Sequence, residues 1–481
     1  MVFASKSAGL ALFSLGLAAR GATAVSNCAG LIDAIGVTAD IVLESDFSCG
    51  EEVTVGPGDT VTVSGPHVIT IDADFESTEV SSLFVNEGSL TLDGVTVESQ
   101  AARGIRAVHN AGDLSLVGCT FSSLFGTADS MLGSGGVIYS DSTGDIVIKD
   151  SAFTSNAASD KGGALYVVGT ETLSITDTTF TDNKVGPGAD GDAAGGDIYA
   201  GIDVEITIAG STFTGSEAEY GGAAIECCGG TITTSTFSNT KSDMLGDHFG
   251  ALLVGRRGAK TACPRTLELT DTTFTGCTVD SGVGAGGAVA IFDTTAEISD
   301  CIFAGSQGTA VLFESSSAEG IHKLDMSSNQ FNENVFPAEL FAADTNQGAA
   351  VVVINTGLEE GDEPVSMGAW SNMFCFANEP YECEFVLDLA TIDHDEEFKC
   401  HVCDMEGTRQ AVNTDGDPLG SVDADAVPDS GSSSHSQGTV IGLSIALGLT
   451  LVVIGSLAVW KIRVRKNARR MMDDMDDQDV F

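Results

Sequence analysis

Proline supplies only 9 of 481 residues, and tyrosine and tryptophan only 5 and 2. Scarce proline beside 58 glycines excludes a collagen-like repeat. Lysine and arginine total 21 against 69 acidic residues, a formal net charge of −48. That balance excludes a general nucleic-acid binder, which needs a basic footprint. No Asn-x-Ser/Thr sequon occurs. What is present is equally directive. Hydrophobic residues make up 43% of the chain, too many for a wholly disordered one, and 24 of the aromatics are phenylalanine.

The two ends set an expected compartment. Residues 1–24 read as a secretory signal: Lys6 precedes the apolar stretch Ala8–Ala19, and Ala22-Thr23-Ala24 offers a small-x-small cleavage site. Thr439–Trp460 is an uncharged run of 22 residues, long enough for one membrane-spanning helix. Lys461, Arg463, Arg465, Lys466, Arg469 and Arg470 follow it as a stop-transfer cluster. Because 21 residues follow the run, it is not a glycolipid-anchor signal. The reading is a single-pass type I protein of the plasma membrane or another secretory-pathway membrane. The segments outside would keep 13 basic and 64 acidic residues, a net of −51. Such a surface favours calcium, basic partners or plain solubility.

Between these ends the chain repeats. Paired glycine opens a short apolar strand, a Thr/Ile/Leu strand follows, and a third strand centres on phenylalanine. Copies are Gly135–Tyr139 with Phe153, Gly162–Tyr166 with Phe180, Gly195–Tyr199 with Phe213, Gly221–Ile225 with Phe237, and Gly286–Val289 with Phe303. Weaker copies carry Phe274 and Phe331, and Phe121 closes an earlier one. First glycine to phenylalanine is 18 residues in three consecutive copies, while the loop after phenylalanine varies. Three short strands are too few for a propeller blade, and helical periodicity is missing. The fold class is therefore all-β: a parallel β-helix, one coil per repeat, plus one C-terminal transmembrane helix. Ten to twelve coils would make a rod of about 50–60 Å at the spacing of paired strands. Phenylalanine would stack inside it as a ladder.

The expected organisation is a signal at 1–24, coils with an N-terminal cap over 25–370, a cysteine-rich cap over 371–403, a flexible Asp/Ser/Gly stalk over 404–438, the helix at 439–460 and a cytoplasmic tail over 461–481. All twelve cysteines fall outside the membrane in this scheme, so disulfides are expected. Cys28 and Cys49 would staple the N-terminal cap. Cys263 occupies a slot adjacent to that of Cys227 and Cys228 in the neighbouring coil. Cys119 and Cys301 share a slot about six coils apart, too far to bond. Cys375, Cys383, Cys400 and Cys403 read as two disulfides of the C-terminal cap, with zinc the alternative.

The Gly162-Gly-Ala-Leu165 and Phe180-Thr-Asp-Asn183 elements, with Phe153–Asn156 and Phe331–Asn334, resemble repeats of the chlamydial polymorphic outer-membrane-protein family. Across residues of about 110–340 that resemblance implies a right-handed β-helix of the pectin-lyase-like superfamily, used for adhesion. Phe213, Phe237, Phe274 and Phe303 keep the phenylalanine but lose the asparagine. That family ends in an outer-membrane barrel, whereas this chain ends in a single apolar run.

The superfamily also holds polysaccharide lyases and hydrolases, so catalytic patterns matter. Asn413-Thr414-Asp415-Gly416 lies in the expected stalk, and no Gly-His-Gly exists. Arg256, Arg257, Lys260 and Arg265 form a basic cluster in an inserted loop without an evident carboxylate partner. No catalytic constellation is identified. Asp190, Asp192 and Asp197 could bind Ca²⁺ through oxygen ligands, although a solvated loop explains them as well. Tyr139, Tyr166 and Tyr199 fall 14 residues before phenylalanine in successive copies. Alternation would point them outward, where they could hold sugar rings or a partner protein. The first functional reading is a surface rod for adhesion or for glycan or protein recognition. The others are a membrane-tethered polysaccharide lyase or hydrolase-like enzyme and a passive coat protein.

Overall fold

Strict alternation of apolar and polar residues in short segments puts every second side chain inside a coil. Ile146–Lys149 buries Ile146 and Ile148 and exposes Val147 and Lys149, and Thr172–Thr176 buries Leu173 and Ile175 and leaves the others half-buried. The computed structural model describes residues 22–335, except 76–81, 101–103, 127–132, 187–192, 220, 243–248, 256–262, 280–285 and 316–321. Beyond 335 it describes the strands Val351–Asn355, Val365–Met367, Ser371–Cys375, Ile392–Asp393, Cys400–Cys403 and Arg409–Val412. Residues 1–21, the expected membrane helix and tail, and most of the expected stalk lie outside the described residues. Thr23–Val25, expected at the end of the signal, is a strand paired with Ile41–Leu43, and Arg409–Val412, expected in a flexible stalk, is a strand paired antiparallel with Cys400–Cys403.

Each coil contributes to three long rows of parallel strands. The first row holds eleven strands among the described residues, from Val53–Val55 to Val351–Asn355, and carries the tyrosines. The second is aliphatic, as in Ile146–Lys149 against Leu173–Thr176. The third carries phenylalanine, as in Thr179–Thr181 against Thr212–Thr214. A fourth, shorter row of six two-residue strands follows phenylalanine, for example Ala157–Ala158 against Lys184–Val185. The eleven strands of the first row agree with the expected ten to twelve coils. This is a parallel β-solenoid.

Phe121, Phe153, Phe180, Phe213, Phe237, Phe274, Phe303 and Phe331 are all fully buried. Their rings stack at centroid separations of 4.6–5.2 Å, with planes within 19°. Offset stacking at this distance adds about 0.5–1.5 kcal/mol per pair beyond area burial.

Two corners flank each phenylalanine strand, and both need left-handed backbone. Three residues before phenylalanine, Asp150, Asp177, Asp271 and Asp300 have φ of 50–55°. Two residues after it, Ser155, Asp182 and Asn239 have φ of 52–54°. Gly210 and Gly215 take the same two places around Phe213, with φ of 61° and 67°. Aspartate, asparagine and glycine tolerate this region best. Some of the chain's acidity is thus corner chemistry.

Polar ladders line the inner side of the same corners. Asn156 Nδ2 donates to Phe121 O at 3.1 Å, and its Oδ1 accepts from Leu124 N at 3.1 Å. Asn183 and Asn334 repeat the bridge to Phe153 O and Phe303 O. Each asparagine three residues after phenylalanine therefore ties one coil's corner to the next. Two residues before phenylalanine, hydroxyls do similar work: Ser151 Oγ accepts from Cys119 N, Ser211 Oγ from Thr178 N and Ser235 Oγ from Ser211 N. Buried backbone donors are satisfied in this way by side-chain acceptors of the next coil.

The N-terminal end is closed by a feature the sequence pattern does not announce, the short helix Cys28–Ala34. Asn27 caps it by accepting from Gly30 N at 2.7 Å. Leu31 is fully buried, and Cys28 is bonded to Cys49 with Cα atoms 4.9 Å apart. The second disulfide joins Cys228 to Cys263, Cα to Cα 5.1 Å. Of the two candidates opposite Cys263, Cys227 is excluded. Alternation turns it into the core beside Val254, 3% exposed, where burial pushes its thiol up to about 12. Cys119, Cys277 and Cys301 are also buried and free. At the other end, Ser371–Cys375 and Cys400–Cys403 extend the phenylalanine row, with Cys375 opposite Cys403. Cys383 lies outside the described residues.

Replacing Phe213 by Ala in mid-ladder should lower unfolding free energy by about 3–5 kcal/mol. Thr212→Ala on the outer side of the same strand should change it by less than about 0.5 kcal/mol. Denaturant titration of both variants checks the difference.

Candidate ligand-binding face and cleft

On the first row, Ile138, Leu165 and Ile198 are fully buried, so the alternate residues Tyr139, Tyr166 and Tyr199 point outward. The three rings are partly exposed and lie parallel, with centroids 5.1 and 5.4 Å apart and planes within 15°. Coplanar rings could not approach so closely side by side, so the rings are stacked face to face with an offset. Their inner faces are spent on one another. The row therefore offers ring edges and hydroxyls, not three open faces for sugar rings.

Its ends differ. His109 precedes Tyr139 in register, with rings 5.5 Å apart and tilted by 58°. Arg106, only 2% exposed, holds its guanidinium carbon 5.0 Å from the Tyr139 ring centre. Its Nε donates to Ser134 O at 2.9 Å and Gly135 O at 3.0 Å. Burial lowers its pKa to about 10, so it stays charged at neutral pH, in cation–π range of the ring. Tyr139 donates to Asp141 Oδ2 at 3.4 Å. Burial, with the Asp141 charge second, pushes its phenol up to about 12.

At the far end the register brings a residue that the repeat alignment misses. Tyr199 pairs with Glu226, and Ile198 with Ile225. Gly195 N and Gly196 N both donate to Gly222 O. The glycine pair of this coil is thus offset by one from Gly221-Gly222, and Glu226 takes the tyrosine slot. The signal in the sequence is the shorter glycine-to-phenylalanine distance of this copy, 16 residues instead of 18.

Beside Tyr199 lies a cleft of about 320 Å³. Tyr199, Val168, Ile202, Asp203, Glu226 and the Cys228–Cys263 bridge line it. Asp203 and Glu226 are the two acidic residues of its lining; Glu226 is buried, with Oε2 toward Gly221. Arg265 donates from Nη2 to Asp203 O at 3.0 Å and from Nη1 to Glu205 Oε2 at 3.2 Å. Lys161 Nζ stands 5.4 Å from the centre of the Tyr199 ring. Of the basic cluster, Arg265 thus ties together coils two apart, across the intervening strand Gly230–Thr233, while Arg256, Arg257 and Lys260 lie outside the described residues.

Asp197 is placed differently from an exposed cation ligand. It is fully buried, accepting from Asn183 Nδ2 at 2.8 Å and from Ser216 Oγ. Both its oxygens are taken by protein donors within the polar ladder. Asp190 and Asp192 lie outside the described residues. Among the described residues no group of three His, Cys, Asp or Glu side chains is set to hold a metal ion.

A family model described as a right-handed beta helix region matches residues 164–357. Neither the curated proteins nor the solved structures contain a match to the chain. The match and the parallel rows agree on a β-helix, of the kind found in surface, ligand-binding and pectin-lyase-like proteins.

Burial raises the Asp197 pKa from 3.8 to about 7, against the opposing pull of its Ser216 and Asn183 donors. The folded state then holds a proton that the unfolded state has released. Stability should fall as pH rises through that window, by about 1.4 kcal/mol per pH unit, and level off above it. Asp197→Asn should remove this component. The variant should exceed the wild type in stability at pH 8 and match it below pH 4, read from paired denaturation curves.

Proposed function

We propose that this protein is a surface-displayed β-helical rod that recognises an extracellular glycan or protein ligand at the Tyr199 end of its tyrosine row. The observation that carries the reading is the cleft itself. It brings an aromatic ring, two acidic residues and apolar walls together on an otherwise regular sheet, as small-ligand sites do. The repeat resemblance to the chlamydial family points the same way, toward adhesion. Residues 1–24 would direct export, and 439–460 would hold the rod to a membrane through the 404–438 stalk. The acidic surface would repel anionic polymers and admit cationic partners.

A membrane-tethered lyase or hydrolase-like enzyme is the second reading. Asp203 and Glu226 in one cleft favour it, because glycoside hydrolysis uses two carboxyl groups across a bound sugar.

The full-length protein should be tested against a glycan array, with turnover assayed on the same glycans. Tyr199→Ala should weaken binding about tenfold or more, the loss of roughly 1.4 kcal/mol. Replacing Tyr139, Tyr166 and Tyr199 together by Ser should abolish it with the fold retained. Binding unchanged in both variants would remove the tyrosine row from the site. Turnover lost in Asp203→Asn or Glu226→Gln would replace recognition with catalysis.

A further inference from the structure

Six successive phenylalanine strands present twelve outward positions, two per strand. One rank runs Thr120, Ala152, Thr179, Thr212, Thr236, Thr273, and the other runs Ser122, Thr154, Thr181, Thr214, Ser238, Thr275. Eleven of the twelve bear a hydroxyl, nine of them threonine, and none is charged or aromatic. In a chain with 69 acidic residues this exclusion is specific to the face. The corners bordering it carry Asp150, Asp177, Asp182 and Asp271.

The face is also a regular mesh. Members of a rank repeat at the coil spacing, which the stacked rings beneath them hold at 4.6–5.2 Å with planes within 19°. The two ranks are two residues apart along the strand, about 6.6–6.8 Å. Threonine is stiff at χ1, so methyl and hydroxyl groups recur at fixed places. Little of this hydroxyl capacity is used internally. Thr214 and Ser238 bond each other at 2.9 Å, and Ser238 reaches Phe213 O at 3.5 Å.

We propose that this hydroxyl mesh binds ice. Its rectangular repeat is of the same order as the oxygen repeats on the surface of hexagonal ice, and the ladder below holds it flat. Water ordered between the methyl groups and bonded to the hydroxyls would continue the crystal lattice. A charged side chain would instead impose its own hydration shell, which accounts for the excluded acids. A crystalline polysaccharide fits the face less well, because sugar rings are held by open aromatic faces and this mesh has none. The surface is separate from the tyrosine row and its cleft, so it stands independently of the ligand-recognition reading.

The test uses the purified full-length chain, fluorescently labelled. Its partition into slowly growing ice and its inhibition of ice recrystallisation are measured. The wild type should enter ice well above an inert labelled carrier. The double variant Thr181→Lys, Thr214→Lys should lose about tenfold of that enrichment, some 1.4 kcal/mol. Ser174→Lys, on the aliphatic row, should keep it. Matching thermal midpoints for all three proteins establish that the fold survives. Partition no better than the carrier, or equal partition of wild type and double variant, would overturn the proposal. So would wild-type binding to cellulose powder that the double variant loses, which would make the face a polysaccharide dock.

Discussion

In-register pairing of equivalent residues at one strand spacing is the constraint on which the rest of this molecule depends. Once Phe180 sits over Phe153, every neighbouring position of the coil is assigned. Aliphatic meets aliphatic, asparagine reaches the carbonyl one coil away, and hydroxyl accepts from amide. Each coil contacts mainly its neighbours, so stability accumulates through repeated nearest-neighbour interfaces. Irregularity is tolerated where it does not disturb the stack, in the loops after phenylalanine and at the shortened copy around Gly221.

The solenoid was legible because its signals are periodic and local. Phenylalanine spacing, alternation and paired glycine all follow from sterics that act within one coil. The outward direction of the tyrosines followed from alternation, and the Cys28–Cys49 staple from its place at the N-terminal end. Choosing Cys228 over Cys227 required the register of a single strand, which pairwise spacing leaves open. Glu226 was hidden for the same reason: a copy shorter by two residues moves a different side chain into the slot. Arg106 and Lys161 reach rings in the following coil, a relation that linear spacing does not express. Asp197 shows the opposite failure. Its acidic neighbours suggested a solvated loop, while its place two residues after Gly195 sends it inward to the ladder of Asn183 and Ser216.

The polar ladders also explain why the repeat consensus is loose. From Phe153 onward the slot three residues after phenylalanine holds Asn156, Asn183, Ser216, Thr240, Cys277, Ser306 and Asn334, whereas Leu124 holds it after Phe121. The long amide bridges two backbone groups by itself, whereas the shorter side chains leave the ladder to backbone pairing and, at Ser216, to Asp197. Thiols fit such slots as small, weakly polar fillers. Buried Cys119 and Cys301 accordingly occupy positions that serine and threonine fill in the coils between them.

The helix Cys28–Ala34 packs against the first described strand of each long row. A parallel stack has two open edges, each a template for another chain. Here the edge made first in synthesis is covered by residues that emerge before most of the coils do. Growth of the rod can then proceed in one direction only, each finished coil serving as the template for its successor. A nascent chain would expose a single adhesive edge at any moment, and that edge would always be the one its own next segment is about to cover.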